Sequence, residues 1–245
     1  MTSNPQTAHG DFVTYDDLKG PDLDPALWQG ISVPIPGGGE WTASDPNAQV
    51  TVGEGAIRVT IPRFSASSDT FLPADSGKFA RFTTREFALP PDRPATFAAE
   101  LSVQNLNGEP ADYRQGMAAF QVADLQRVFS VIGTSTRVFA MHEQLGVWGA
   151  TDPFVHVVET PYADFDDDFT RPRTCEITFD RSTSTVLWQV DGQQIYKTNG
   201  TSIPEQVSIA IGIWTQLPLR NGRSRSLRDQ GIDARWSGFR VRGAD

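Results

Sequence analysis

Two histidines and two glutamates lie close together in mid-chain. His142 and Glu143 stand in Met141-His142-Glu143-Gln144, and His156 and Glu159 in Phe154-Val155-His156-Val157-Val158-Glu159. Imidazole changes charge near neutral pH, and a carboxyl within reach can exchange its proton, so these four are the candidate catalytic acid/base residues. Both segments alternate in the manner of strands. If the strands pair as neighbours, His142 and His156 share a face. Over 137–144, His142 points with Val138, Ala140 and Gln144, whereas Glu143 points with Phe139, Met141 and Leu145. Histidine and glutamate then face one cleft together only across a bulge. The competing reading is a buried or rim histidine satisfied by a backbone carbonyl.

A second set of residues could hold a ligand. The six tryptophans are 28, 41, 148, 188, 214 and 236, and an indole face suits a sugar or another flat molecule. Trp28, Trp188 and Trp236 fit core positions, while Trp148 follows the His142 segment. Trp214 differs, because Val207, Ile209, Ile211 and Ile213 claim one face of its strand and leave Ser208, Ala210 and Gly212 beside it on the other. That face, ending at Gln216, is the best candidate for a ligand surface. Glu100, Ser102, Gln104 and Gln121 are expected to line the same concavity. The loop 219–228 adds Arg220, Arg223, Arg225 and Arg228, an arginine cluster that could clamp an anion as a lid or simply be a solvated loop.

Metal and cofactor signals are weak. Asp164, Asp166, Asp167 and Asp168 are oxygen-rich but lack the spacing that gathers six or more calcium ligands, and Asp233 adds at most one. No organic cofactor is expected, and a structural calcium ion is the one exception left open. The single cysteine, Cys175, alternates with Ile177 and Phe179 as a core residue does. It permits no intramolecular disulfide.

The elements that must position these groups are strands. Apolar residues recur at spacing two over 57–61, 78–87, 96–104, 116–123, 127–132, 137–144, 154–159, 173–179, 185–190, 194–197, 207–215 and 234–242. Gly, Pro, Asp and Asn fill the intervals, and no long helix is apparent. Asp180 to Ser184 and Asp191-Gly192 read as turns that make 173–197 a three-stranded meander. Amphipathic strands in this number must bury one face against a second sheet, so the expected class is all-β, a two-sheet antiparallel β-sandwich. The chain has 245 residues and a formal charge of −9, the wrong sign for a nucleic-acid or polybasic membrane partner. Residues 1–9 lack the basic start and apolar run of a secretory signal, which makes the cytoplasm the expected compartment. A disordered or extended arm over 1–10 and one domain over 11–245 are expected. Oligomeric state stays open.

Three passages resemble the concanavalin A-like jelly roll of laminarinase-type glycoside hydrolases, plant lectins and related actinobacterial domains of unknown function. The stretch from Tyr15-Asp16-Asp17 to Leu23-Asp24-Pro25-Ala26-Leu27-Trp28 is similar to their opening F-D-D-F-x-G-x-x-L-D-P-x-x-W. Trp188-Gln189-Val190-Asp191-Gly192 resembles a W-x-V-D-G hairpin, and 233–241 resembles the closing strand. The resemblance implies a jelly roll, but the Glu-x-Asp-x-x-Glu motif of the retaining hydrolases is missing. None of the nine glutamates has Asp two residues on. By order along the chain, the strand that should carry the motif is Val128–Ile132, which has no carboxylate.

The expected function is binding of a small, partly apolar metabolite, of a secondary-metabolism type, in the groove of the concave sheet. Two modes stay open there, binding alone or transformation by positioning and acid/base catalysis. The alternatives are a noncatalytic carbohydrate-binding module and a glycosidase with rearranged carboxylates such as Glu143 with Glu159.

Overall fold

The computed structural model describes residues 10–34, 39–69, 75–124, 126–146, 151–160 and 166–245. The expected N-terminal arm falls outside them except for Gly10. Eighteen strands follow in order: β1 Val13–Asp16, β2 Trp28–Gly30, β3 Ser32–Pro34, β4 Glu40–Thr42, β5 Gln49–Gly53, β6 Ala56–Ile61, β7 Gly77–Thr83, β8 Phe87–Ala88 and β9 Ala95–Leu106. The rest are β10 Met117–Ala123, β11 Arg127–Gly133, β12 Val138–Gln144, β13 Phe154–Glu159, β14 Arg173–Asp180, β15 Thr185–Val190, β16 Gln193–Asn199, β17 Gln206–Trp214 and β18 Gly231–Arg242. No described segment forms a helix longer than a turn, and none is long and apolar enough to cross a membrane.

The strands form two stacked sheets. The first runs β16-β15-β14-β9-β18-β6-β5, with β1 added on β18. The second runs β13-β12-β11-β10-β17-β7-β2, with β8 extending along β17, and β3 pairs with β4 as a separate ribbon. Every pair is antiparallel. This is the two-sheet antiparallel β-sandwich expected from the strand pattern, in the jelly-roll form that the resemblance implies.

Side-chain alternation explains the stacking. Phe97, Ala99, Leu101 and Val103 of β9 share one core with Phe120 and Val122 of β10 and with Val207, Ile209, Ile211 and Ile213 of β17. Each large apolar side chain buried there contributes on the order of 1.5–3 kcal/mol. Trp28, Trp188 and Trp236 are core residues as expected, and Cys175 is fully buried among them. Side-chain and backbone hydrogen bonds close the turns, those at 180–184 and Asp191-Gly192 as the sequence implies. Asp24 Oδ1 accepts from the Ala26 amide at 2.8 Å, closing the turn before Trp28. Asp180 Oδ1 accepts from the Ser182 amide at 3.0 Å. Asp191 and Gly192 take φ of 49° and 77°, the left-handed pair that a tight hairpin requires.

Two expectations about strands need correction. The segment 78–87 is not one strand, because Thr83 Oγ1 donates to the Arg85 carbonyl at 2.8 Å and breaks it into β7 and β8. More consequentially, Glu100, Ser102 and Gln104 do not line the ligand face. They lie on β9, in the centre of the first sheet, and point away from the core on the side opposite the second sheet. Glu100 Oε2 there accepts from Ser237 Oγ at 2.8 Å.

Candidate functional site

The outer face of the second sheet carries a groove of about 910 Å³. Its floor comes from the residues that alternate with the core. They are Met117, Gln121 and Ala123 of β10, Val128 of β11, Met141 and Glu143 of β12, and Trp214 of β17. The walls are Val155 and Val157 of β13, Tyr113 before β10, Trp41 of β4, and Gln216 to Pro218 after β17.

Trp214 is seated by two glycines. A Cβ added at Gly212 would meet Trp214 Nε1 at 2.4 Å, and one at Gly77 would meet Trp41 Cζ2 at 2.6 Å and Trp214 Cζ3 at 3.0 Å. Gly212 and Gly77 therefore form a bed under the indole. A register shift between Ile213 and Trp214 at the β7 pairing brings Gly77 opposite the indole. Trp41 and Tyr113 escape sequence reading, since both come from short or irregular segments whose place is set by tertiary packing. Tyr113 packs on Phe139 with ring centroids 5.0 Å apart.

Glu143 is the ionisable group of interest in this groove. It is 9% exposed, and Gln216 Nε2 donates to its Oε1 at 3.3 Å while lying 3.5 Å from Met141 Sδ. Burial raises its carboxyl from the ordinary 4.5 to about 7, and the Gln216 hydrogen bond offsets only part of that. Gln121, also on the floor, donates from Nε2 to Ser130 Oγ at 3.0 Å. The other lining acid, Asp124, is occupied by Arg127, whose guanidinium donates from NH2 at 2.8 Å and from Nε at 3.2 Å.

The histidines are on the other side of β12. His142 and His156 are direct cross-strand partners and share a face, but that face is turned from the groove. The period-two rule that separates His142 from Glu143 acts without a bulge in this stretch. His142 is 8% exposed and stacks on Phe129 at 4.7 Å with planes 14° apart, near Trp188. Burial foremost, then the charges of His156 and Arg127, lower its pKa to about 4. It is a neutral core residue, and the acid/base role assigned to it is corrected accordingly. His156 is exposed and lies 4.7 Å from Phe154 between ring centroids.

Glu159 stands on the groove side of β13, yet it is remote from Glu143. Glu143 pairs with Val155, four residues before Glu159, a separation of roughly 13 Å along the strand. Paired glycosidase carboxyls lie about 5–5.5 Å apart in retaining enzymes and about 6.5–9.5 Å in inverting ones. Glu159 instead pairs with Arg137 at 3.0 Å, so the rearranged pair is not assembled. Arg220, Arg223, Arg225 and Arg228 do not line the groove; Arg220 is exposed, and Arg223 is held by Asp69 at 2.7 Å. Trp148 and Asp164 fall outside the described residues. Asp166 pairs with Arg171 and Arg173, Asp167 lies 3.6 Å from Arg137, and Asp233 accepts from Arg58, so these acids already have partners.

A model for a family of unknown function, DUF6081, matches residues 10–245. The chain belongs to this family. No curated protein matches this DUF6081 member. Among solved structures it is similar to an endo-1,3-beta-glucanase from Streptomyces sioyaensis, with 14% identity, TM-score 0.60, and 98% of this chain and 99% of that chain covered. The catalytic domain of an endo-1,3-beta-glucanase (laminarinase) from Thermotoga petrophila gives 14% identity, TM-score 0.58, and coverage of 96% and 98%. The Bacillus licheniformis beta-glucanase gives 11%, 0.54, and coverage of 96% and 99%. These likenesses establish the fold and extend over nearly the whole of each chain.

Proposed function

We propose that this DUF6081 protein binds a small, partly apolar molecule in the groove of the Trp214 sheet and exchanges a proton with it through Glu143. The observation that carries the reading is a carboxyl without an ion-pair partner among the described residues, 9% exposed and with its pKa raised to about 7, on the floor of a largely apolar groove. Acid/base chemistry of the isomerase, cyclase or lyase type fits one such group. Two-carboxylate glycoside hydrolysis does not fit it. The role given to the histidines in the sequence pattern passes to Glu143, and the proposal calls on no cofactor.

The test is ligand-detected NMR with uncharged and charged aromatic fragments beside laminaritriose. Fragments should contact the wild-type protein and lose contact in Trp214→Ala. Laminaritriose bound in preference to the fragments, and released by the same substitution, would replace this reading with that of a carbohydrate-binding module. The fold likeness to glucanases makes that the second reading.

A further inference from the structure

The charge around the groove narrows the class of molecule that fits it. The chain has 21 lysines and arginines. All of them lie among the described residues, and none lines the groove. The ion pairs among described residues do not include Glu143. Among the described residues its one polar hydrogen-bond contact is the 3.3 Å donation from Gln216. The groove therefore presents a buried carboxyl without a counter-charge, in a protein of net charge −9. The charged residues among the described lining, Glu143 and Asp124, are both acids, so an anionic ligand finds no lining cation there.

The surrounding surfaces are polarizable and suit an organic cation. Trp214, Trp41 and Tyr113 offer aromatic faces or edges, and Met117 and Met141 offer thioethers. Burial foremost raises the Tyr113 phenol; the Arg114 charge opposes that, and the charges of Asp112 and then Glu143 add to it. A hydrated metal ion would want six or more oxygens, and the groove floor does not supply them.

We infer that the natural occupant is a small amphipathic amine, its ammonium met by the Glu143 carboxylate and its apolar part laid against Trp214. The inference rests on the groove reading above and adds the ligand's charge to it. It also fixes the proton balance of binding: a cation selects the ionised carboxylate, so binding releases to solvent the proton held by whatever fraction of Glu143 is protonated in the empty groove. An uncharged ligand that accepts a hydrogen bond would do the reverse and favour the protonated form.

Three matched probes separate the cases in calorimetric titrations at pH 6 and pH 8: 4-phenylbutylamine, 4-phenylbutanol and 4-phenylbutanoate. The amine should bind at least tenfold tighter than the alcohol at pH 8. Because Glu143 titrates at about 7, the amine's affinity should fall about tenfold at pH 6, where about a tenth of the carboxyl is ionised. Glu143→Gln should erase both the preference and the pH dependence. An alcohol that binds as tightly as the amine, an amine affinity flat with pH, a preference that survives in Glu143→Gln, or a carboxylate probe that binds tightest would each overturn the amine and leave the groove standing. If none of the three binds at millimolar concentration, the groove reading falls and takes the amine with it.

Discussion

Replacing Glu143 by Gln should make the protein more stable at pH 8. Glutamine keeps the shape and can still pair with Gln216, so the change isolates the charge. The folded-state carboxyl sits at about 7 against an ordinary 4.5. At about 1.4 kcal/mol for each tenfold change in proton affinity, ionisation costs the fold about 3 kcal/mol more than it costs the open chain. Between pH 4.5 and 7 the native state binds more protons than the unfolded state. The Glu143 contribution to stability therefore falls as pH rises through that window, and above it the full cost is present. The variant should match wild type at pH 4 and exceed it by about 3 kcal/mol at pH 8.

Urea unfolding followed by tryptophan fluorescence at both pH values reads the difference, a midpoint shift of roughly 1 M for a slope of about 2–3 kcal/mol/M. The comparison has to be variant against wild type, because His142 tilts the other way. Its lowered pKa makes stability fall as pH drops from 6.5 toward 4, and the two slopes offset each other in the parent protein. A Glu143→Gln protein no more stable than wild type at pH 8 would mean that the carboxylate has a stabilising partner. That result would refute an unmatched charge at Glu143.

His142→Leu should remove the acid lability. Comparing its stability with wild type at pH 7 and pH 4 cancels any constant packing cost and should leave a relative gain of up to about 3 kcal/mol at pH 4, with binding in the groove unchanged. Trp214→Ala should weaken aryl-probe binding by roughly 1–3 kcal/mol while costing less stability than the ~3–5 kcal/mol expected of a core tryptophan such as Trp236. Gly212→Val, whose Cβ would stand 2.4 Å from Trp214 Nε1 and 3.0 Å from the Phe79 carbonyl, should displace the indole and lose the same binding. A melting temperature and affinity close to wild type would refute the seating of Trp214 on Gly212.

The long amphipathic strands were legible because their period is two and one side is buried. β13 and β15 run over the residues that the pattern marks, and the two faces of β17 separate as alternation requires. The short strands β2 to β5 and β8 were not, since two to five partly exposed residues carry too little periodicity. Alternation also identifies a polar face without saying which sheet owns it. For that reason alternation groups Glu100, Ser102 and Gln104 with Gln121, although β9 and β10 belong to opposite sheets. Within the site, Trp214, Gln216, Gln121 and Glu143 come together in the groove. Tyr113 and Trp41 arrive from segments with no periodic signal, and the bulge that places Gly77 opposite Trp214 leaves no mark in composition.

The adjacent residues His142 and Glu143 give the strongest argument for which face is functional. Both are buried, and burial drives both toward the uncharged form. At pH 7 this costs His142 almost nothing, because a histidine with a pKa of about 4 is already neutral there. Glu143 at the same pH is partly ionised without a counter-charge. Lys78 is a useful contrast. It too is buried, with a pKa lowered to about 8, but Asp75 and Asp45 act on it as opposite charges, and Ala66 O and Ser226 Oγ accept from its ammonium at 2.6 and 3.2 Å. Lys78 is thus built into a satisfied network that ties loops together. A methionine, leucine or glutamine would pack beside Met141 without the electrostatic cost that Glu143 carries, so packing does not account for its presence. Stability given up at neutral pH by an unmatched group on a groove floor is the pattern expected where binding or proton transfer, rather than folding, sets the residue.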